Sequence, residues 1–348
     1  MPKRFLGNIM TDSPTAPAGP YKDSAASGVW SLAEALSYTK GGLWPIAGNV
    51  NAIALFAGGN SSSNRNVIDS FQIVTTGNAT DFGDLLYSGS IGNGSVSSST
   101  RAVHGGGNNV NRDADQLTLL QYSTITSAGN ALDFGDFAQA SMSRATISNG
   151  TRGVWGDDTL NVTSTRMEYI TIATLGNSSD FGDSTAARGY AAGASSPTRG
   201  VVAGGYLNNG SGQNVIEYIT VANTGNTTDF GDLTVGRYYP SACSSNTRAC
   251  IFGGVPASGV SNTIDYITTA STGNASDFGD LAAANYDGAA TSSSTRGVYA
   301  GGKQPQSANA EIKYITIAST GNTSAFGNLT VARFGLGGSS NNHGGLAA

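Results

Sequence analysis

Paired carboxylates recur along this chain in a short motif, Asp-Phe-Gly-Asp, and such pairs can serve acid–base chemistry or hold calcium. A group that is present in every unit of a repeat belongs to the scaffold, because a single active site needs residues that differ between units. In the last copy Ala325 and Asn328 replace both carboxylates. We therefore expect these Asp side chains to accept local backbone N–H bonds in turns. We expect the motif phenylalanine to pack between neighbouring units, and the glycine after it to take a backbone conformation that other residues resist. The motif phenylalanines are Phe82, Phe134, Phe181, Phe230, Phe278 and Phe326.

Few other residues could carry catalysis or bind a metal, since the chain has two His and two Cys. His104 stands where other copies have apolar or aromatic residues, which predicts a packed histidine. Cys243 and Cys250 occupy small apolar positions, which favours free buried thiols and leaves a disulfide as the alternative. The acidic residues Glu168, Glu217 and Glu311 fall within predicted strands and are interpreted as structural. We predict no catalytic residue, no metal and no cofactor.

A Thr-Arg pair recurs in the repeat, and we expect each arginine to bind an aspartate of the repeat through two parallel hydrogen bonds. A ring of arginines that attracts anions around one opening is the alternative. Ile53 takes this position in the first copy, and His343 is interpreted as the degenerate last copy. The arginines are Arg101, Arg152, Arg199, Arg248 and Arg296.

The segments after each Gly-Gly pair differ from copy to copy and are rich in Asn, Gln, Tyr and Ser, which suit hydroxyl-rich ligands such as glycans. Variable loops on a rigid scaffold commonly carry recognition, although neutral drift gives the same pattern. The ligand-binding candidates are Asn108, Asn109, Arg112, Asp113, Asp157, Asp158, Tyr206, Asn208, Lys303 and Gln304.

These residues must be positioned by a repeat of about 48 residues, because the motif phenylalanines are spaced by 52, 47, 49, 48 and 48 residues. Each unit reads as four short strands, a to d, separated by turn residues. In one unit strand a is Thr234–Cys243, strand b is Thr247–Gly254 and strand c is Thr263–Ala270. Four antiparallel strands per unit indicate an all-β propeller.

Six blades form the simplest ring. The segment 331–340 copies strand a, so it is predicted to join the N-terminal strands b, c and d in one blade, with 341–348 as a worn copy of strand b. This mixed blade leaves no free sheet edge where the ring closes. Seven blades, with 43–48 as the first strand a, are the alternative.

Residues 1–41 are predicted to form an arm and one short helix, and 42–348 the propeller. Ser31 followed by Glu34 is a capping box at the start of that helix, which is too short to fold alone. Its apolar side chains therefore pack either on one end of the propeller or on a partner protein. The attachment candidates are Trp30, Leu32, Leu36 and Trp44.

The overall composition restricts the partners that the chain can bind. A net charge of −5 with 12% charged residues argues against nucleic acid, which requires a basic surface. No apolar run is long enough to span a bilayer, and the N-terminus lacks the long apolar region of a signal peptide.

The order Gly253-Gly254, Tyr266 and Phe278 resembles the kelch blade, with phenylalanine where kelch repeats have tryptophan. A frame of Gly58-Gly59, Phe71 and Phe82 fits the first copy in the same way. The unit Asn262–Leu281 is also similar to repeats in structural and fibre-like proteins of tailed phages of marine bacteria, cyanophages among them.

The phage resemblance implies a non-enzymatic virion protein, made in the host cytoplasm and attached to other virion proteins by its N-terminal segment. In this reading a tail-fibre or adhesin-type propeller recognises a host-surface glycan or protein, with homo-oligomerisation left open. A capsid decoration or spacer protein is the alternative. A propeller glycosidase is disfavoured, because the repeated Ser-x-Asp box of six-bladed sialidases is absent.

Overall fold

The structure is a computed structural model that describes residues 52–87, 94–107, 117–140, 142, 145–156, 164–207, 210–305 and 307–346. Within these ranges the chain forms six four-stranded antiparallel sheets that are the blades of a ring. The predicted six-bladed all-β propeller is confirmed, and the seven-bladed alternative is wrong. The predicted helix of residues 31–40 and its attachment side chains lie outside the described residues.

Each blade contains strands a, b, c and d in that order. Blade 1 is β28 (Gly337–Ser340), β1 (Ile53–Ala57), β2 (Val67–Gln72) and β3 (Thr80–Asp84). Blade 2 is β4 (Gly94–Ser97), β5 (Arg101–Gly105), β6 (Leu119–Thr124) and β7 (Leu132–Asp136). Blade 3 is β8 (Ala145–Ser148), β9 (Arg152–Gly156), β10 (Arg166–Thr171) and β11 (Ser179–Asp183). Blade 4 is β12 (Ala192–Ser195), β13 (Arg199–Ala203), β14 (Val215–Thr220) and β15 (Thr228–Asp232). Blade 5 is β17 (Ser241–Ser244), β18 (Arg248–Phe252), β20 (Thr263–Thr268) and β21 (Ser276–Asp280). Blade 6 is β22 (Ala289–Ser292), β23 (Arg296–Ala300), β26 (Glu311–Thr316) and β27 (Ser324–Asn328). Four two-residue strands lie in the loops, namely β16 (Arg237–Tyr238), β19 (Val255–Pro256), β24 (Lys303–Gln304) and β25 (Ser307–Ala308).

The ring closes as predicted, because the C-terminal β28 pairs with the N-terminal β1. Their antiparallel register places Ala54 opposite Ser340 and Ala57 opposite Gly337. Blade 1 therefore contains strands from both ends of the described chain, and no blade is left with an unpaired inner strand b.

The motif phenylalanine fills the space between neighbouring blades, as predicted. Phe230 of blade 4 packs with Ile216 of its own blade and with Ala249 and Ile267 of blade 5. Gly231, which follows, has a φ of 144°, and a Cβ there would lie 2.5 Å from the backbone of Gly273 in blade 5. The close approach of two backbones therefore requires glycine at this position.

An asparagine links each blade to the one before it, a role that the sequence analysis missed. The Asn274 side chain accepts a 3.0 Å hydrogen bond from the backbone N–H of Asp232. All six junctions have this bond, and the asparagines are Asn78, Asn130, Asn177, Asn226, Asn274 and Asn322.

The two carboxylates of the motif play a smaller part than predicted. Asp133 does accept a local backbone bond, from Gly135 N–H at 3.1 Å. Asp183 instead accepts from the Thr165 hydroxyl at 2.8 Å. The first Asp of each motif lies on the exposed side of strand d, for example Asp229.

The prediction that the repeated arginines bind aspartate is wrong. Arg152 lies with its guanidinium 4.3 Å from the ring centroid of Tyr169 and donates to the backbone oxygens of Val221 and Ala222 at 3.2 and 2.9 Å. The acceptors belong to the next blade, so the arginine bridges two blades. These carbonyls point out of the end of strand c, where β pairing has stopped, and a cation is a favourable partner for them.

Serines at the end of strand a form a hydrogen-bonded ring around the central channel. Ser340 donates to the backbone oxygen of Ser292 at 2.5 Å, Ser292 donates to that of Ser244 at 2.6 Å, and Ser244 to that of Ser195 at 2.6 Å. Ser97 donates to the backbone oxygen of Ser340 at 2.8 Å and so spans the closure of the ring.

The C-terminal segment Asn341–Leu346 is not a copy of strand b, and His343 is not a degenerate arginine. The segment forms turns that contact several blades at one end of the channel. The Nε2 atom of His343 lies 3.0 Å from the backbone oxygen of Ser97 and 3.2 Å from the hydroxyl of Ser148. Burial lowers the pKa of His343.

The remaining reactive side chains are packed in the core, as predicted. His104 is buried against the Ser95 hydroxyl at 2.9 Å, and its burial lowers its pKa to about 4. Cys243 and Cys250 are free, buried and opposite each other in strands a and b of blade 5. Burial raises the pKa of the Cys250 thiol to about 12, so this thiol stays protonated and unreactive.

Candidate ligand-binding face

The two faces of the disc carry different connections. One face, called here the loop face, carries the connections from strand b to strand c and from strand d to the next strand a. The opposite face, called here the turn face, carries the short a–b and c–d turns. This division follows from four antiparallel strands in sequence order within each blade.

The two kinds of connection pair with each other on the loop face in blades 4, 5, 6 and 1. In blade 5 they form the small sheet in which Tyr238 pairs with Val255. Equivalent bridges join Gly189 to Tyr206, Tyr286 to Lys303 and Phe334 to Asn60. These backbone pairings fix the loops, so the side chains that project from them are held in position.

Five tyrosines from these loops form one continuous group, called here the tyrosine cluster. The rings of Tyr190 and Tyr239 lie 4.0 Å apart between centroids, and those of Tyr206 and Tyr238 lie 5.2 Å apart. Tyr239 lies 5.9 Å from Tyr286, which extends the cluster into blade 6. Each of these side chains is half-buried, so part of the aromatic surface remains available to a ligand.

A lysine and an aspartate adjoin the tyrosine cluster. The Lys303 ammonium lies 3.8 Å from the ring centroid of Phe334 and 5.9 Å from that of Tyr286, in cation–π geometry. Burial raises the pKa of Asp287 to about 7, against the opposite effect of Lys303. The face therefore presents aromatic rings together with one cation and one carboxyl group that titrates near neutrality.

The backbone at the mouth of the channel is held in an unusual conformation. Tyr190, Tyr239 and Asp287 have φ values of 57°, 56° and 58°, in the left-handed region that residues with a side chain rarely adopt. Gly335 has the equivalent position in blade 1, with a φ of 64°. Such strain costs of order 1–3 kcal/mol per residue and persists only where the surroundings enforce it.

Hydrogen bonds between successive blades enforce that conformation. Tyr239 N–H donates to the backbone oxygen of Tyr190 at 3.0 Å, Asp287 N–H to that of Tyr239 at 3.2 Å, and Gly335 N–H to that of Asp287 at 2.7 Å. The four residues thus form a chain of backbone bonds around the mouth, and their side chains are presented in a fixed order.

Buried ion pairs connect the d–a loops to strand c of the blade that follows each loop. Arg237 binds Asp265 at 3.0 Å and Arg333 binds Asp69 at 2.8 Å, and all four side chains are fully buried. Arg237 and Arg333 also donate to the backbone oxygens of Ile251 and Phe56, respectively. Burial lowers the pKa of both arginines, while the partner carboxylates oppose this effect.

The third ion pair joins Arg188 to Glu217 at 3.2 Å in blade 4. Glu168 in blade 3 accepts from the Ser178 hydroxyl at 2.7 Å and lies 3.2 Å from Arg166. In blade 6, Asn285 stands at the arginine position and Lys313 at the carboxylate position. Both members of the ion pair are therefore replaced in this blade. The interpretation of Glu168 and Glu217 as structural is confirmed, because both serve the scaffold.

The channel below the mouth is narrow. A cavity of about 100 Å³ lies between the innermost strands, and residues such as Gly193, Ser241 and Gly337 line it. A second cavity of about 60 Å³ lies deeper, beside the serine ring and His343. These volumes admit water molecules but no sugar-sized ligand.

The sequence-predicted ligand residues fall into two groups. Tyr206 and Lys303 lie on the loop face at the tyrosine cluster, and Gln304 lies beside Lys303, where its amide donates to Glu311 at 3.2 Å. The others lie outside the described residues, namely Asn108, Asn109, Arg112, Asp113, Asp157, Asp158 and Asn208.

Most of the tyrosine cluster was not predicted from the sequence, because the predicted ligand residues all belong to the b–c loops. The other four tyrosines come from the d–a loops, where they occupy two adjacent positions of the repeat. They are Tyr190, Tyr238, Tyr239 and Tyr286. The available signal was Tyr238-Tyr239, a pair of aromatic residues in a connection that otherwise needs none.

Within the part of the chain that the structure describes, no three His, Cys, Asp or Glu side chains are grouped so as to hold a metal ion. Among the same residues, no helix is long and apolar enough to cross a membrane. A scan against protein-family models gave no match to this chain, and a search of curated proteins gave none either.

Proposed function

We propose that this protein is a non-enzymatic binding protein whose loop face recognises a hydroxyl-rich ligand such as a cell-surface glycan. The observation that carries this proposal is the tyrosine cluster, which spans blades 4 to 6 at the mouth of the channel. Half-buried tyrosines combine flat apolar surface with a hydroxyl that can donate and accept, and they lose little conformational entropy when they bind.

The conformation of the loop face also supports a binding role. Three non-glycine residues at the mouth hold left-handed backbone conformations, and such strain is concentrated at binding sites and switches. The buried ion pairs beneath the loops limit their movement, so a ligand would meet a pre-organised surface.

Binding by purified protein to a glycan array tests this proposal. The double variant Tyr206→Ala, Tyr238→Ala should lose binding by at least tenfold, because it removes one side of the cluster without changing a strained residue. Leu175→Ala, an exposed side chain in a c–d turn on the turn face, is the control and should bind like the wild type. Equal binding by all three proteins would contradict a site on the loop face.

The repeat resemblance motivates the biological setting that we propose, a tail-fibre or adhesin-type component of a phage virion with the loop face turned toward the host. A decoration or spacer role is the alternative within the same setting. Antibodies against the propeller, applied to purified particles in electron microscopy, test the setting separately from the binding site. Labelling of tail fibres supports the adhesin, whereas labelling of the capsid supports decoration.

A further inference from the structure

Five of the six blade junctions contain the same arginine bridge on the turn face. In each, the arginine that begins strand b stacks on a tyrosine of its own blade at 4.3 or 4.4 Å. Its Nη1 atom then donates to one or two backbone oxygens that follow strand c of the next blade, at 2.9 to 3.2 Å. The bridging arginines are Arg101, Arg152, Arg199, Arg248 and Arg296.

The junction between blades 1 and 2 lacks both members of this bridge. In blade 1 Leu55 lies opposite Ser70, and in blade 4 Val201 lies opposite Tyr218, so Ser70 occupies the tyrosine position. Two residues before Val201 stands Arg199, and two residues before Leu55 stands Ile53, so Ile53 occupies the arginine position. The alignment of Phe71 with the tyrosines in the kelch-like frame is therefore wrong by one residue. Phe71 instead packs in the core against Phe326, with ring centroids 4.9 Å apart.

A cavity of about 390 Å³ lies where the sixth bridge is missing. Its walls include Ile53, Ser70, Gln72, Phe82 and the residues Ile125 and Thr126. The cavity adjoins the exposed turn 74–78, so a group from solvent can reach it.

The lining of this cavity has hydroxyl and amide groups, and it also has the acceptor positions that an arginine meets in the other junctions. Ile125 and Thr126 occupy the positions whose backbone oxygens accept from arginine in the other junctions, and no described side chain donates to them. The Oε1 atom of Gln72 is buried and has no hydrogen-bond partner among the described residues. A buried acceptor without a donor is unfavourable, so a donor that enters the cavity and bonds to it is stabilising.

We propose that this cavity, called here the vacant arginine site, binds an arginine side chain of a partner protein. A guanidinium offers five N–H donors in one plane, which suits two backbone oxygens and one amide oxygen around a confined space. Phe82 supplies an aromatic wall of the cavity. In the intact junctions the equivalent ring lies about 6 Å from the guanidinium, as in the pairs Arg152–Phe181 and Arg199–Phe230. The five intact junctions show that this fold accommodates a guanidinium at the equivalent position.

This proposal is independent of the glycan-binding function, because the vacant arginine site lies on the turn face. A protein that binds its ligand through one face needs a second surface through which it is attached to a larger assembly. An arginine-directed contact on the turn face would leave the tyrosine cluster exposed.

The test measures binding of the full chain to the peptide acetyl-Gly-Arg-Tyr-Gly-amide by calorimetry. The control peptide contains citrulline, which has nearly the shape of arginine but no charge. We expect saturable binding of the arginine peptide and at least tenfold weaker binding of the citrulline peptide. Absence of saturable binding, or equal binding of both peptides, would overturn the proposal.

Two variants place the binding at this cavity. Ile53→Arg combined with Ser70→Tyr supplies the missing bridge from the chain itself, and it should abolish peptide binding and raise the melting temperature. Gln72→Ala removes one acceptor and should weaken binding at least threefold, which keeps the test valid if the double variant does not fold. Unchanged affinity in a folded form of either variant would show that the peptide binds elsewhere.

Discussion

The two faces of this disc are built from the same six repeats, yet they differ in how uniform they are. On the turn face the same asparagine bond occurs at all six junctions, and the same arginine bridge occurs at five of them. On the loop face the four equivalent residues at the channel mouth are Tyr190, Tyr239, Asp287 and Gly335. The uniform positions hold the blades together, whereas the positions that vary within one chain have no such common role and form the face that we propose binds a ligand.

The largest expected effect is the loss of a buried ion pair beneath the loop face. Asp265→Ala would leave Arg237 as a buried charge without its carboxylate, and we expect the free energy of unfolding to fall by about 3–5 kcal/mol. Urea unfolding measures this change. The control is Asp229→Ala, an exposed motif carboxylate, for which we expect a change within about 0.5 kcal/mol. A large loss in the control would mean that the motif carboxylates carry charge interactions after all.

Loss of one arginine bridge on the turn face should have an intermediate effect. Arg199→Ala removes a 2.9 Å bond to the backbone oxygen of Thr269 and the stack on Tyr218. We expect a loss of about 2 kcal/mol in the free energy of unfolding, because one partner in the bond is charged. Arg65→Ala, on a loop of the opposite face, is the comparison. If both variants lose the same amount, the arginine bridge contributes nothing specific.

Loss of one asparagine link should have a smaller effect. Asn274→Ala removes a single 3.0 Å bond to the Asp232 N–H on an exposed part of the turn face. We expect the free energy of unfolding to fall by about 1 kcal/mol. Asn274→Asp keeps an acceptor at the same place and should recover most of that loss. A failure to recover would indicate that packing of the amide, and not its hydrogen bond, is what matters.

One substitution on the loop face should increase stability. Asp287→Gly relieves a left-handed backbone conformation, as glycine already does at Gly335, and should raise the free energy of unfolding by about 1 kcal/mol. Urea unfolding at pH 7 measures the gain. A loss of stability would show that the Asp287 side chain makes contacts that outweigh the backbone strain.

The same variant should change the dependence of stability on pH. Burial raises the pKa of Asp287 from 3.8 to about 7, so the folded protein holds this proton more tightly than the unfolded chain does. The stability that this group contributes is fully present below about pH 4 and is lost as the pH rises through 7. Asp287→Gly should therefore flatten the fall in stability between pH 4 and pH 7. An unchanged slope would assign it to another group.

Much of the scaffold could be predicted from sequence because its chemistry is local and repeated. The Asp-Phe-Gly-Asp motif predicted both the inter-blade phenylalanine and the glycine that follows it, and the copy of strand a at 331–340 predicted how the ring closes. The partners of the arginines could not be predicted, because their acceptors are distant backbone oxygens, about 70 residues after four of the arginines and 222 and 223 residues before Arg296. Backbone atoms leave no signature in the side-chain sequence.

The candidate site was predicted less completely. Tyr206 and Lys303 stood out because they follow Gly-Gly pairs, whereas Tyr239 belongs to a connection that was interpreted as part of strand a. Backbone bridges such as that between β16 and β19 bring the two kinds of loop together. That pairing depends on blade curvature and loop length, which no single segment of the sequence encodes.

The pairing of β28 with β1 has a consequence for how the protein is made. The two strands are separated by about 280 residues, so β1 must keep an open edge during synthesis until nearly the whole propeller has left the ribosome. During that interval the β28 strand of a neighbouring nascent chain can complete the blade in its place. Crowded synthesis on one messenger would then increase the share of exchanged, chain-linked assemblies beside the closed single rings.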